Sequence, residues 1–231
     1  MNRIFLVGDS ILKGIVYDED SGKYRFSDRM RLGTLEASGF EVINLSRMGA
    51  TVGKGYKTLT QRLSGDLTGD TVILGFGGND CSYNWQKVSE KDCEGILPLT
   101  PVSEFEQTYG KCIGYARSLG AAVTCVSLVP IDDVKYMSWI SRGRSRENIL
   151  SWLGDPSMLY RWHESYNRSV CRVCYHNNCE LIDVRAPFLS AHDYKDLMCA
   201  DGIHPTDRGY ALVEEKIVSA VSKASPVCCT A

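Results

Sequence analysis

The chain has 231 residues, of which 44% are hydrophobic and 23% are charged, and this composition excludes a disordered or collagen-like protein. Its 26 basic and 28 acidic residues leave a net charge of −2, which argues against nucleic-acid binding by neutralisation of phosphates. No apolar run approaches the roughly 18 residues of a membrane span, and the first apolar run is too short for a signal peptide. We therefore expect a cytoplasmic protein that forms a single domain over residues 1–231, with its ten cysteines reduced.

Five short apolar runs, rich in Val, Ile and Leu, alternate with helical patterns along the chain. They cover residues 4–7, 42–45, 71–76, 122–128 and 179–184. Such runs are typical of strands that are buried on both faces of a parallel sheet. The alternation predicts a three-layer α/β/α sandwich, and we expect the five strands in the order 2-1-3-4-5.

Three helices are indicated between and after these strands. Ser103 and Glu106 have the spacing of a capping box at the start of a helix over 103–119. Asp155 before Pro156 has the pattern of an N-cap followed by the first helical residue. The last helix is indicated by an apolar stripe with helical spacing, which consists of Tyr210, Val213, Ile217 and Val221.

Two segments, 81–101 and 131–154, are longer than ordinary connections in such a fold. Long ordered loops that follow the strands of a parallel sheet are where ligand contacts collect. We therefore expect both segments to be loops that form the walls or the lid of a site.

Chemically useful residues follow three of the predicted strands. Ser10 follows the first strand, Gly49 the second and Asn79 the third, and the order 2-1-3 brings the carboxyl ends of these strands together. Asp201 precedes His204 by three residues, a spacing that lets a carboxylate orient an imidazole. A serine, a histidine base, a carboxylate and hydrogen-bond donors for an oxyanion are the groups that acyl transfer requires.

These positions resemble the sequence blocks of the SGNH hydrolases, also called the GDSL esterase/lipase superfamily. The matching blocks, in the order of the family, are Gly8-Asp9-Ser10-Ile11, Gly49, Gly77-Gly78-Asn79-Asp80 and Asp201-x-x-His204-Pro205. One departure is Ile11, where the motif has Leu, and the change is conservative. The resemblance spans residues 8–205 and implies a flavodoxin-like fold.

The resemblance also implies a role for each residue. Ser10 would be the nucleophile, His204 the base and Asp201 the carboxylate that orients it. The amides of Ser10, Gly49 and Asn79 would form the oxyanion hole, and no metal or organic cofactor would be needed. The expected substrate is a small ester, with an acetyl ester of a carbohydrate as the first candidate. Alternatives with the same triad are a thioesterase, a lysophospholipase or an acyltransferase, and a different alternative is a binding module without turnover.

Residues for substrate contact are less clearly indicated. Trp85 lies in the first long segment, and Trp139 and Trp152 lie in the second, so each ring either contacts substrate or packs its loop onto the domain. Trp162 belongs to a helical stripe and is expected in the core, and the neighbouring His163 is close enough in sequence to reach the same site.

The remaining pattern is a cluster of cysteines around one histidine. Cys171, Cys174, His176 and Cys179 are spaced C-x2-C-x-H-x2-C, which permits a zinc or redox site but lacks a second C-x-x-C pair. We favour the interpretation as small thiols at a helix end. Two further residues near the C-terminus, Cys228 and Cys229, are expected to be prone to oxidation rather than to bind metal.

Overall fold

The computed structural model describes residues 2–224, so Cys228 and Cys229 lie outside the described residues. The strands in chain order are β1 (Arg3–Gly8), β2 (Ile15–Asp18), β3 (Lys23–Phe26), β4 (Glu41–Asn44), β5 (Thr71–Gly75), β6 (Ala122–Val126) and β7 (Glu180–Ile182). Five of them form a parallel sheet in the order β4-β1-β5-β6-β7. This order confirms the predicted 2-1-3-4-5 arrangement, counted over the strands of this sheet.

Helices cover both faces of the sheet. In chain order they are α1 (Ser10–Lys13), α2 (Gly33–Ala37), α3 (Val52–Arg62), α4 (Trp85–Ser89), α5 (Val102–Ser118), α6 (Asp133–Ile140), α7 (Arg146–Leu153), α8 (Ser157–His176), α9 (Arg185–Ser190) and α10 (Asp207–Ala224). Two short 3₁₀ helices cover Asp28–Arg31 and Tyr194–Leu197. Within residues 2–224 no helix combines the length and the apolar character that crossing a membrane requires.

Alternate side chains of the sheet enter two separate cores. Phe5 and Val7 of β1 pack with residues of α3, α5 and α8, whereas Ile4 and Leu6 pack with residues of α1, α9 and α10 on the opposite face. Successive side chains of a strand point to opposite faces, so a strand buried on both faces has the continuous apolar run seen in the sequence. The predicted three-layer α/β/α sandwich is confirmed.

The predicted starts of two helices need correction. Ser103 is exposed inside α5, whose N-cap is Pro101 without a side-chain cap, so Ser103 and Glu106 do not form a capping box. Pro156 is the N-cap of α8, and Asp155 precedes it with Oδ1 accepting a hydrogen bond from the N–H of Ser157 at 2.7 Å. Asp155 thus accepts a hydrogen bond from a free amide of the first helical turn, but it lies one residue before the N-cap and not at the N-cap as predicted.

Both long segments contain helices where we expected only loops, and segment 131–154 is mostly helical. Segment 81–101 contains α4, and segment 131–154 contains α6 and α7. Their apolar side chains form a third cluster, separate from the two cores that flank the sheet. The members of this cluster that are buried are Val88, Ile131, Met137, Ile140, Ile149, Leu153 and Leu159.

The cysteines of the C-x2-C-x-H-x2-C pattern do not face a common point. Cys171 and His176 are exposed at the end of α8, whereas Cys174 and Cys179 are buried. The Cys179 Sγ lies 3.5 Å from the Cys125 Sγ and 3.2 Å from the carbonyl oxygen of Val123. The buried thiols therefore pack against β6 as small side chains.

Candidate active site

Ser10, His204 and Asp201 form a continuous hydrogen-bonded chain at the carboxyl end of β1. The Ser10 Oγ lies 2.8 Å from the His204 Nε2, and the His204 Nδ1 lies 2.6 Å from the Asp201 Oδ2. His204 is 3% exposed and Asp201 is fully buried. A hydroxyl, an imidazole and a carboxylate in this order are the arrangement in which the imidazole can accept the hydroxyl proton.

The turn at 201–204 holds the carboxylate in place. The Asp201 Oδ1 accepts hydrogen bonds from the backbone N–H groups of Ile203 and His204, both at 3.1 Å. Gly202 has a φ of +75°, and a Cβ there would lie 2.4 Å from the backbone N of Tyr136 in α6. Glycine is therefore required both by the left-handed conformation and by the close packing of the turn against α6.

Asp201 is ionised in spite of its burial. Burial opposes ionisation, but the hydrogen bond and the charge of His204, with the two backbone N–H groups, hold the pKa of Asp201 below its usual value. A carboxylate in this position accepts the Nδ1 proton of His204, and Nε2 is then left as the acceptor that faces Ser10.

Hydrogen bonds tie the Gly49 loop to the Ser10 loop on one side and to the Asn79 loop on the other. The N–H of Arg47 donates to the carbonyl oxygen of Gly8 at 3.0 Å, and the Asn79 Nδ2 donates to the carbonyl oxygen of Ala50 at 3.0 Å. Gly49 lies between these two attachments with a φ of +70°. An amide nitrogen carries two hydrogens, so Asn79 keeps one for a substrate oxygen. Ser10 opens α1, and its N–H has no acceptor within the helix.

Two buried carboxylates, Asp9 and Asp80, brace these loops. The Asp9 Oδ1 accepts from the N–H of Ile11 at 2.8 Å and caps α1. The Asp80 Oδ1 accepts from the N–H of Val52 at 3.0 Å, at the start of α3. Burial raises the pKa of Asp9 to about 7 and that of Asp80 to about 6.

Replacement of Asp9 by Asn is expected to stabilise the protein at pH 8 but not at pH 4. The folded protein keeps a proton on Asp9 up to a pKa of about 7, whereas the unfolded chain releases it near pH 4. The stability contributed by Asp9 is therefore lost as the pH rises from about 4 to about 7. Asn keeps the cap without a charge, so the gain at pH 8 should be on the order of 2–4 kcal/mol. Urea unfolding of both proteins from pH 4 to pH 8 measures it, and parallel curves would contradict the prediction.

A mostly apolar cavity of about 90 Å³ opens beside the Ser10 hydroxyl. Ser10, Asn79 and His204 line it, together with residues of the segments 81–101 and 131–154. Its other walls come from β6, the chain that follows β6, and α8. The larger side chains of the lining are Trp85, Leu128, Val129, Ile131, Tyr136, Leu159, Trp162 and His163.

The three tryptophans predicted to contact substrate have different positions. Trp85 lines the cavity. Trp139 does not: its ring packs edge-on against Tyr17 at 4.7 Å, with the Arg142 guanidinium over it at 3.9 Å. Trp152 also lies outside the lining and packs against Trp162, with ring centres 5.2 Å apart. The prediction is corrected for Trp139 and Trp152, whose rings pack the helical segments onto the domain.

The sequence analysis missed the β2–β3 hairpin, which reaches the candidate triad. Tyr24 of β3 packs edge-on against His204, with ring centres 5.4 Å apart. The turn-forming residues at 19–22, between two short alternating segments, were the available signal. Trp162 was expected in the core, but it lines the cavity together with His163.

Comparisons with known proteins agree on one family. The model of the GDSL-like lipase/acylhydrolase family matches residues 6–212. The GDSL esterase/lipase CPRD49 of Arabidopsis thaliana is 24% identical over 155 residues, which are 66% of this chain and 54% of that protein. The match thus spans about half the length of this curated relative.

Solved structures share the fold at low identity. A lipase/acylhydrolase from Enterococcus faecalis aligns with a TM-score of 0.67 and 20% identity over 97% of each chain. A catalytic mutant of the acetylxylan esterase Axe2 from Geobacillus stearothermophilus aligns with a TM-score of 0.64 and 16% identity, over 95% of this chain and 94% of that one.

Proposed function

The chain belongs to the GDSL-like lipase/acylhydrolase family, and from this premise we propose that it is a serine ester hydrolase acting on short-acyl esters of carbohydrates or other small molecules. The observation that carries the proposal is the hydrogen-bonded chain from the Ser10 Oγ through His204 to Asp201. The family and the acetylxylan esterases of the same fold support acetyl esters as the first candidates.

Acylation begins with proton transfer from the Ser10 Oγ to the His204 Nε2 as the oxygen attacks the ester carbonyl. Asp201 stabilises the imidazolium that forms. The carbonyl oxygen becomes an oxyanion, which accepts hydrogen bonds from the N–H groups of Ser10 and Gly49 and from the free hydrogen of the Asn79 amide. Each such donor lowers the barrier by about 3–4 kcal/mol.

The same groups complete the reaction. His204 returns the proton to the alcohol oxygen as the ester bond breaks, which leaves the acyl group on Ser10. Water then attacks the acyl carbon while His204 accepts one of its protons. His204 returns that proton to the Ser10 Oγ as the acyl–serine bond breaks, which releases the carboxylic acid and regenerates the Ser10 hydroxyl. Each step moves one proton through His204, and the same backbone and side-chain amides stabilise the oxyanion in both halves of the reaction.

The size of the cavity indicates which part of the ester enters it. An apolar cavity of about 150 Å³ accommodates benzene, so a volume of about 90 Å³ is too small for a sugar ring. It has room for an acyl group of a few carbons. We therefore place the alcohol part of the substrate outside the cavity and a short acyl chain inside it.

The expected kcat/KM falls at least about tenfold from p-nitrophenyl acetate to p-nitrophenyl octanoate, because overfilling a packed site costs about 1–3 kcal/mol. Initial rates on the acetate, butyrate and octanoate measure it. Trp85→Ala provides the matched variant: it enlarges the cavity and should raise the octanoate rate relative to the acetate rate. A steep rise from acetate to octanoate in the unmodified protein would contradict the short-acyl assignment.

A further inference from the structure

One polar group in the apolar cavity has no role in the reaction described above. His163, on α8, lines the cavity and is 5% exposed. Its Nδ1 is buried without a hydrogen-bond partner, and it is the only such side-chain atom among residues 2–224. An unpartnered buried polar atom destabilises the folded state, so a histidine at this position has a cost in stability that an apolar side chain would not have.

The ring is uncharged. Burial lowers the pKa of His163 to about 3, and the positive charge of Arg185 acts in the same direction. Arg185 is itself buried and engaged: its Nη1 donates to the carbonyl oxygen of Leu128 at 3.1 Å, and its Nη2 donates to the Tyr160 hydroxyl at 2.7 Å. A guanidinium has no acceptor to offer, so Arg185 cannot satisfy an N–H of His163.

The environment also favours one tautomer. A neutral imidazole carries one N–H and one acceptor nitrogen. Buried N–H groups without an acceptor are rarer in proteins than acceptors without a donor. We therefore assign the unpartnered Nδ1 as the acceptor nitrogen and place the proton on Nε2. His163 thus lines the cavity as a neutral ring that can donate one hydrogen bond, from Nε2.

We propose that His163 determines acyl specificity by donating a hydrogen bond to an oxygen of the substrate's acyl group. The inference rests on the proposed esterase function and narrows its substrate class: the preferred acyl group is short and carries an ether, hydroxyl or carbonyl oxygen beyond the ester carbonyl. A cavity lined only by apolar groups would favour the plain hydrocarbon chain instead, because an oxygen placed there would lose its hydrogen bonds to water.

Acyl groups of equal length provide the test. The probes are p-nitrophenyl methoxyacetate and both enantiomers of p-nitrophenyl 3-hydroxybutyrate, each compared with p-nitrophenyl butyrate. Every kcat/KM is divided by the rate constant for hydrolysis of the same ester by hydroxide, which removes differences in intrinsic reactivity. We expect the unmodified protein to prefer at least one oxygen-bearing ester by about tenfold, the worth of one good hydrogen bond in a desolvated site.

Variants at two positions test whether His163 causes the preference for oxygen-bearing acyl groups. His163→Met fills a similar volume without a donor, and the preference should disappear. His163→Gln keeps an amide N–H, and the preference should be restored in part. Ser127→Ala is the matched control: Ser127 also lines the cavity, but its hydroxyl already donates to the Asp183 Oδ1 at 3.1 Å, so the preference should be retained.

Each outcome bears on the proposal. Ser10-dependent hydrolysis with no preference in the unmodified protein, or with the same preference in His163→Met, would overturn the role of His163 and leave the esterase assignment intact. Absence of any Ser10-dependent hydrolysis would overturn both. If His163→Met does not fold, the unmodified protein and His163→Gln still decide, since the unmodified protein alone must show the preference.

Discussion

Replacing Ser10 with alanine is expected to lower kcat for p-nitrophenyl acetate by at least about a thousandfold while the protein stays folded. The substitution removes only the hydroxyl, whose hydrogen bond to the His204 Nε2 is 2.8 Å long. The cap of α1 depends on Asp9, so the helix keeps its start. Rate and unfolding midpoint measured on the same preparation separate a chemical loss from a structural one.

A matched control is available at the same edge of the sheet. Ser46 is also a buried serine, and its Oγ donates to the carbonyl oxygen of Leu6 at 3.3 Å. It does not line the cavity, so Ser46→Ala should keep its activity within a few-fold. Reaction with a fluorophosphonate should label the unmodified protein and Ser46→Ala but not Ser10→Ala. The assignment of Ser10 as nucleophile would be contradicted by either of two results. One is a Ser10→Ala variant that hydrolyses the ester at the rate of the unmodified protein, and the other is an unmodified protein that the fluorophosphonate does not label.

The sheet, the meeting of the Ser10 and Asn79 loops and the pairing of Asp201 with His204 could be predicted because they depend on local patterns and strand order. The contact between Ser10 and His204, which are 194 residues apart, was implied only by the family resemblance. Continuous apolar runs indicate strands buried on both faces, and the carboxyl ends of parallel strands meet at one edge. The order 2-1-3 then brings Ser10 beside the Asn79 loop. The turn that carries Asp201 and His204 spans four consecutive residues, so the contact between these two side chains could also be predicted.

The surroundings of this site were harder to predict because they depend on tertiary contacts. Helices α4, α6 and α7 are each 5–8 residues long, too short to be stable alone, and they are held by packing against one another. Whether a tryptophan there faces the cavity or a neighbour depends on that packing. It directs Trp85 into the cavity and Trp139 towards Tyr17, a distinction that residue type does not show.

Replacing Asp201 with asparagine is expected to lower kcat/KM by about 10⁴-fold, because it reverses the tautomer of His204. The Asp201 Oδ2 accepts the Nδ1 proton across 2.6 Å. An asparagine at this position keeps an oxygen for the backbone N–H groups of Ile203 and His204, so the turn is retained. Its amide N–H₂ group would instead face Nδ1, which makes Nδ1 an acceptor and places the proton on Nε2. His204 then cannot accept the proton of Ser10.

The double variant and a second Asp→Asn substitution test this account. Asp132 is another buried aspartate, which caps α6 by accepting from the N–H groups of Val134 and Lys135, and an Asn oxygen does the same, so Asp132→Asn should keep most activity. Since His204 acts through the Ser10 hydroxyl, adding Asp201→Asn to Ser10→Ala should slow the reaction little further, whereas independent contributions would multiply. If Asp201→Asn were as active as Asp132→Asn, the role of Asp201 would be limited to stabilising the turn, and His204 would act without an orienting carboxylate.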